Sequence, residues 1–139
     1  AAAISTALPN TGVDMLMGIG GAPEAVLTAA AIKCLGGELQ TKLWIRDDED
    51  ASRAGERGFD DAERVYCSED LARGNSIVFA ATGITDGDML QGVRYYAEKA
   101  TTESIVMRML TGTVRRIHTT HDLSRKTLRS FKAGQEMIP

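Results

Sequence analysis

The chain has 139 residues, of which 43% are apolar, and a net charge of −3. This composition fits one folded domain over residues 1–139 and excludes wholesale disorder. No apolar run approaches the ~18 residues that span a bilayer and no secretory signal is recognisable, so we expect a cytoplasmic chain without a membrane partner. With only one Trp, three Tyr and three Phe available to stack on bases, we expect no nucleic-acid partner.

The chain begins in a helix-prone stretch, residues 1–8, which ends at Pro9. Because this helix would start without a capping residue, we expect further residues upstream and interpret the chain as a piece of a longer polypeptide. The apolar run at 13–19 (VDMLMGI) then predicts a buried strand.

A long helix follows. Pro23 suits its first position, residues 24–35 are apolar on nearly every side, and Gly36 ends it. Such a helix is expected to be buried all round. A second strand at 39–45 would complete a strand–helix–strand unit, which predicts a right-handed parallel crossover.

The middle of the chain is strongly acidic, with ten acidic and three basic residues between positions 47 and 70. We interpret residues 46–58 as a charged surface excursion and 60–72 as a weak amphipathic helix. The continuous apolar run at 76–82 predicts a central strand covered on both faces.

The last part predicts a hairpin. Ile105, Met107 and Met109 share one face of a strand and Ser104 and Arg108 the other, 110–113 (LTGT) form a turn, and 114–120 form the second strand. Residues 122–139 form a basic tail, with a short helix and a loose end. The sequence thus predicts an α/β domain with a mixed sheet, parallel early and antiparallel late.

The two cysteines, Cys34 and Cys67, match no zinc-binding or CxxC spacing. Both have apolar neighbours in the sequence. We therefore expect two buried free thiols in a reducing compartment.

The main candidate site is the loop 18–24 (GIGGAPE), between the first predicted strand and the long helix. Glycines let a ligand approach the backbone, and the free N–H groups of a helix start favour phosphate. Glu24 in the first turn would repel phosphate unless Mg²⁺ or Mn²⁺ lay between them. A plain turn, with Glu24 stabilising the helix dipole, explains the same residues equally well.

A nucleotide-binding α/β domain is an alternative interpretation of this loop, but two residues oppose it. Pro23 stands where G-x-G-x-x-G needs a glycine, and Glu38 begins the second strand instead of ending it. A third possibility is a noncatalytic interaction or regulatory module that uses the charged excursion.

Asp86 and Asp88 follow the predicted central strand and together could hold a cation. Leu90 and Gln91 replace residues that a calcium loop requires. We favour the simpler interpretation, an Asp-Gly turn that caps the next segment.

His118 and His121 would share one face of a helix, as zinc ligands do, but point to opposite faces of a strand. Since three or four ligands are usual, we expect structural roles for both. Three arginines at 108, 115 and 116 suit phosphate, yet we expect them to pair with the acidic residues 47–50.

Five segments resemble the bacterial class II fructose-1,6-bisphosphatases. In family order they are 13–24 (VDMLMGIGGAPE), 29–37 (AAAIKCLGG), 80–88 (AATGITDGD), 101–104 (TTES) and 113–118 (TVRRIH). The resemblance runs from residue 1 to about residue 122.

The resemblance implies a metal-dependent phosphatase of gluconeogenesis that uses Mg²⁺ or Mn²⁺ to hydrolyse the 1-phosphate of a sugar bisphosphate. Fructose-1,6-bisphosphate is the expected substrate, and sedoheptulose-1,7-bisphosphate is used by some relatives. Glu24 matches the family's metal ligand, and Gly21, with Gly20 beside it, matches the glycine that contacts substrate. The implied fold is a layered α/β/α sandwich related to the lithium-sensitive phosphatases.

Family members are longer and carry further metal-binding acids in an N-terminal half. This chain resembles the C-terminal half alone, so its partner would be the missing N-terminal half of the same enzyme. We expect no catalytic residue in this chain, no activity from it alone, and a homo-oligomer as the complete assembly.

Overall fold

The computed structural model describes residues 2–59 and 61–126. Its helices are α1 (Ala2–Ser5), α2 (Ala22–Leu35), α3 (Asp48–Glu56) and α4 (Ser68–Leu71). Its strands are β1 (Gln40–Thr41), β2 (Tyr66–Cys67), β3 (Val78–Thr82), β4 (Arg94–Tyr96), β5 (Lys99–Arg108) and β6 (Thr113–Asp122). None of the described helices has the length and apolar character needed to cross a membrane.

The main sheet is built around β5. One edge of β5 pairs with β3 and β4, and its other edge pairs with β6 over ten consecutive residues. The predicted hairpin is confirmed, since a 3₁₀ turn at Met109–Thr111 leads into Gly112, whose φ of 58° lies in the left-handed region that glycine adopts without strain. The α/β class is confirmed as well.

The core lies between this sheet and α2. Ile105 and Met107 are fully buried on one sheet face, where they pack with Ala31 and Cys34 of α2. Met89 and Leu90 join the same cluster from the loop between β3 and β4. The prediction that Ile105 and Met107 share one face of the strand is confirmed, and that face packs against α2.

The long helix α2 has the predicted ends, because Pro23 lies in its first turn and Gly36 caps it with a φ of 75°. Lys33 fixes α4 to it: the buried ammonium group donates to Glu69 Oε2 at 2.8 Å, Ala72 O at 2.8 Å and Gly74 O at 2.9 Å. A buried charge is tolerated here because all three of its N–H groups have acceptors.

The parallel crossover is not formed, and every strand pairing among the described residues is antiparallel. Residues 13–19 form neither a helix nor a strand and are exposed. The predicted strand at 39–45 shrinks to β1, which pairs with β2. Both predictions were wrong because apolar runs report a tendency to be buried and do not identify the partner that buries them.

Three predictions of burial were also wrong. The outer side of α2 leaves Val26 and Leu27 exposed. Among the described strands β3 pairs only with β5, and Val78 on its outer face is 62% exposed. Cys34 is buried as expected, but Cys67 is exposed, because it lies at the start of the short surface helix α4.

Part of the acidic region is helical, where the sequence predicted only a surface excursion. Residues 48–56 form α3, and Asp47 caps its start: the Asp47 side chain accepts a hydrogen bond from Asp50 N at 2.8 Å. The helix predicted at 60–72 is instead a turn, β2 and the four-residue α4. A 3₁₀ turn at Leu123–Arg125 follows β6, and the rest of the predicted tail, residues 127–139, lies outside the described residues.

Candidate functional site

The start of α2 forms an open, exposed loop. Gly21 is the residue before the helix and has extended backbone angles, and no side chain caps the first turn. The first N–H groups therefore have no side-chain acceptor at this end of the helix, where the helix dipole favours negative charge.

The carboxylate of Glu24 lies over Gly21. A Cβ on Gly21 would overlap the Glu24 carboxylate, whereas one on Gly20 would meet no atom within 4 Å. Gly21 thus leaves room for the carboxylate, and Gly20 leaves open space beside it. The loop presents one acidic oxygen ligand next to exposed backbone.

Glu24 fits a divalent cation as one ligand of several. Its carboxylate is exposed and offers the hard oxygen atoms that Mg²⁺ and Mn²⁺ prefer. Among residues 2–59 and 61–126, no three His, Cys, Asp or Glu side chains cluster as a metal site would need. A cation at Glu24 would therefore need ligands from outside the described residues.

The context for a nucleotide-binding loop is missing from the described residues. That fold needs a strand directly before the glycine loop, but residues 13–19 form none. Pro23 occupies the first turn of α2, so the objection from the sequence stands.

Asp86 is occupied by contacts within its own loop. Both of its carboxylate oxygens lie 2.9 Å from Arg94 Nη2, and Gly92 N donates to Oδ1 at 2.9 Å. The hydrogen bond from Gly92 N and the nearby Arg94 hold the pKa of the Asp86 carboxyl below its usual range. These contacts agree with the interpretation of Asp86 as a turn residue, and they do not favour a cation held between Asp86 and Asp88.

Glu103 braces the same loop from β5, a role that the sequence analysis missed. Its Oε2 accepts a hydrogen bond from Gln91 N at 2.6 Å, and its backbone O accepts one from Gly83 N at 2.9 Å. Arg116 Nη1 adds a third contact, to Met89 O at 3.0 Å. These contacts join residues 12 to 27 positions apart, so no local spacing could have revealed them.

The two histidines lie on opposite faces of β6, as predicted. His118 is opposite Glu103 in the strand pairing, and His121 is opposite Ala100. The Lys126 ammonium group lies 2.7 Å from His121 Nδ1 and the Thr102 hydroxyl 2.9 Å from Nε2. Because an ammonium group only donates, Nδ1 accepts and Nε2 donates, which gives His121 a structural role.

The expected pairing between the arginines and the acidic region was wrong. Asp50 is held by Arg46 and Arg53, its neighbours along the chain. In the part of the chain that the structure describes, no ion pair joins residues 47–50 to arginines 108, 115 or 116. Ion pairs between residues close in sequence are favoured over distant ones, because forming them restricts only a few residues and costs less chain entropy.

Comparison with known proteins finds relatives that are all named as class 2 fructose-1,6-bisphosphatases in the two cases that follow. The chain is 41% identical over 134 residues to the D-fructose 1,6-bisphosphatase class 2/sedoheptulose 1,7-bisphosphatase of Synechococcus sp. (strain JA-2-3B'a(2-13)), with 86% of this chain and 38% of that protein covered. It is also 41% identical over 138 residues to fructose-1,6-bisphosphatase 1 class 2 of Escherichia coli (strain K12), with 91% and 41% covered. The chain thus spans about two-fifths of the length of these relatives.

The family assignment follows from the extent of the match. Residues 1–121 match the family described as bacterial fructose-1,6-bisphosphatase, glpX-encoded. The matched range contains the glycine loop, Glu24 and the whole braced loop between β3 and β4. The chain therefore belongs to the glpX-encoded family of bacterial fructose-1,6-bisphosphatases.

Proposed function

We propose that this chain is part of a metal-dependent phosphatase that hydrolyses the 1-phosphate of fructose-1,6-bisphosphate to fructose-6-phosphate and phosphate. The observation that carries the proposal is the exposed Glu24 carboxylate at the open start of α2, inside the range that matches the family. Such an enzyme would be expected in the cytoplasm.

In this proposal Glu24 supplies one oxygen ligand to Mg²⁺ or Mn²⁺, and Gly20 and Gly21 contact the substrate. The open space at Gly20 lets a phosphorylated sugar reach the main chain, and the exposed start of α2 favours its negative charge. A divalent cation bound here would neutralise phosphoryl charge and lower the pKa of an attacking water. Glu24, whose carboxylate lies over Gly21, would contribute to the orientation of that cation.

The remaining ligands would come from the other three-fifths of the family chain. Residues 13–19 lead directly into the site and expose large apolar side chains, with Met17 exposed at 85%. Val26 and Leu27 on α2 are exposed as well. Packing of the N-terminal part here would bury these side chains and bring its acidic ligands to Glu24. It would also supply the outer layer of an α/β/α sandwich of the lithium-sensitive phosphatase type.

A chimera tests the proposal directly. Residues 1–121 of this chain replace the matching region of the E. coli relative, and phosphate release from fructose-1,6-bisphosphate is measured across Mg²⁺ and Mn²⁺ titrations. We expect metal-dependent turnover from the chimera and none from the isolated chain, because a single carboxylate binds these cations too weakly.

The ligand role is tested with Glu24→Gln in the chimera. We expect the metal concentration for half-maximal activity to rise about tenfold or more, since even supporting residues around a metal contribute that much. Glu56→Gln is the matched control, an exposed glutamate on α3 outside the site, and should change nothing. An unaltered metal titration for Glu24→Gln, or turnover by the isolated chain, would refute the assignment.

A further inference from the structure

The backbone at Gly21 does not require a glycine. Gly21 precedes α2 with φ −71° and ψ 152°, which are extended backbone angles that any residue adopts. Serine, asparagine and aspartate are more favourable than glycine at this position, because their side chains cap the first turn of the helix. The lack of a side chain at Gly21 therefore needs a reason other than backbone conformation or helix capping.

The carboxylate of Glu24 supplies that reason. A Cβ on Gly21 would overlap Glu24 Oε2 and lie 3.2 Å from Glu24 Cδ, whereas the next nearest atom, Pro23 Cδ, is at an ordinary contact distance of 3.7 Å. Glu24 is the third residue of α2, and from this position a glutamate side chain can reach back over the residue before the helix. A side chain at position 21 and this placement of the Glu24 carboxylate exclude each other.

The Glu24 carboxylate is exposed in this placement and can accept a cation. None of the ion pairs among the described residues includes it. A Cβ at position 21 would displace only the end of this flexible side chain, which has other rotamers to adopt. The backbone of α2 would stay in place. The expected consequence of a larger residue at position 21 is a carboxylate in a different place on an intact helix.

We propose that Gly21 is a positioning residue for the metal ligand. Its missing side chain lets the Glu24 carboxylate lie over the start of α2, where that carboxylate holds the divalent cation next to the main chain of Gly20 and Gly21. This inference rests on the proposed function, because it takes Glu24 to be a metal ligand. It adds that affinity for the cation depends on a residue whose own side chain offers no ligand.

A double-mutant cycle tests the positioning role. In the chimera that carries residues 1–121, Mn²⁺ binding is measured without substrate from the electron paramagnetic resonance signal of the free ion. We expect Gly21→Ala to weaken Mn²⁺ binding about tenfold, the scale on which residues that orient metal ligands act. In the Glu24→Gln background the same substitution should change Mn²⁺ binding less than about twofold, because two residues that act through one contact are not additive.

Gly18→Ala is the matched control in the same loop, because a Cβ on Gly18 would meet no atom within 4 Å. It should leave Mn²⁺ binding unchanged. The thermal midpoint of the Gly21→Ala chimera should equal that of the parent chimera, since the helix stays intact.

The outcomes separate this inference from the proposed function. Undiminished Mn²⁺ binding by the Gly21→Ala chimera, an equal loss with and without the Glu24 carboxylate, or a lowered thermal midpoint would overturn the positioning role alone. Mn²⁺ binding that is unchanged by Glu24→Gln would overturn the ligand assignment and the positioning role together.

Discussion

Replacing Lys33 by Met removes the ammonium group that fixes the α4 segment to α2. The Lys33 side chain is 4% exposed and donates to three acceptors on the segment from Glu69 to Gly74. Met retains most of the unbranched apolar stem, so the substitution deletes the charged contacts with little change in packing volume.

The expected loss is about 2 kcal/mol in the free energy of unfolding. A hydrogen bond to a charged group contributes about 1.5–3 kcal/mol, but the three contacts of Lys33 do not add fully. Glu69 is 64% exposed, so its carboxylate regains water when the ammonium group is removed, and this ion pair contributes at most about 1 kcal/mol. The Met variant also no longer has to bury a charge, which offsets part of the loss.

Urea unfolding followed by circular dichroism measures this loss, with Lys42→Met as the matched control. Lys42 forms an exposed ion pair with Glu63 at 3.1 Å, so its removal should change stability by less than about 0.5 kcal/mol. Hydrogen exchange should quicken at the amides of 68–74 in the Lys33 variant, because α4 packs on α2 there. Equal stability of the two variants would show that Lys33 does not hold this segment.

Two further predictions concern the braced loop and the acidic helix. Gly83→Ala should lower the free energy of unfolding by about 2 kcal/mol, because the new Cβ would overlap Gln91 O and lie 3.1 Å from Leu90 Cβ. Gly20→Ala is the control: open space surrounds Gly20, so the thermal midpoint should not change. Similar midpoints for the two variants would contradict the crowding at Gly83. Hydrogen bonds from Arg46 and Arg53 hold the pKa of Asp50 well below its usual range. The ionised Asp50 therefore stabilises α3 fully above the ordinary carboxyl pKa of about 3.9, and this stabilisation is lost as the pH falls below that value. Asp50→Asn should remove this acid-dependent step from the NMR shifts of the α3 amides, and an unchanged step would assign it to another group.

Local signals in the sequence were enough for the hairpin and for the ends of α2. Ile105 and Met107 share the buried face of β5, and Gly112 allows the left-handed turn that joins β5 to β6. Pro23 and Gly36 mark the ends of α2 through their own backbone preferences. These signals need no distant partner, and the corresponding predictions were confirmed.

The position of Glu24 at a helix start was likewise readable from the sequence, but the bracing of the neighbouring loop was not. Glu103 reaches Gln91 across 12 residues, and Arg116 reaches Met89 across 27. Such contacts depend on which strands pair, and the predicted parallel crossover gave the wrong pairing. No local sequence pattern around a charged strand residue identifies the distant loop that its side chain will contact.

Residues 13–19 show why an apolar run does not by itself predict burial. Their apolar run predicted a buried strand, yet Met15, Met17 and Ile19 are more than 70% exposed. Exposed apolar surface of this kind is unfavourable by about 25 cal/mol per Å² relative to burial, and contiguous patches mark interaction surfaces. The same residues lead into Glu24, so a partner that covers them would also close the open side of the proposed metal site. Under the proposed function, burial of this run and completion of the cation's ligands are therefore one event, and neither is expected without the other.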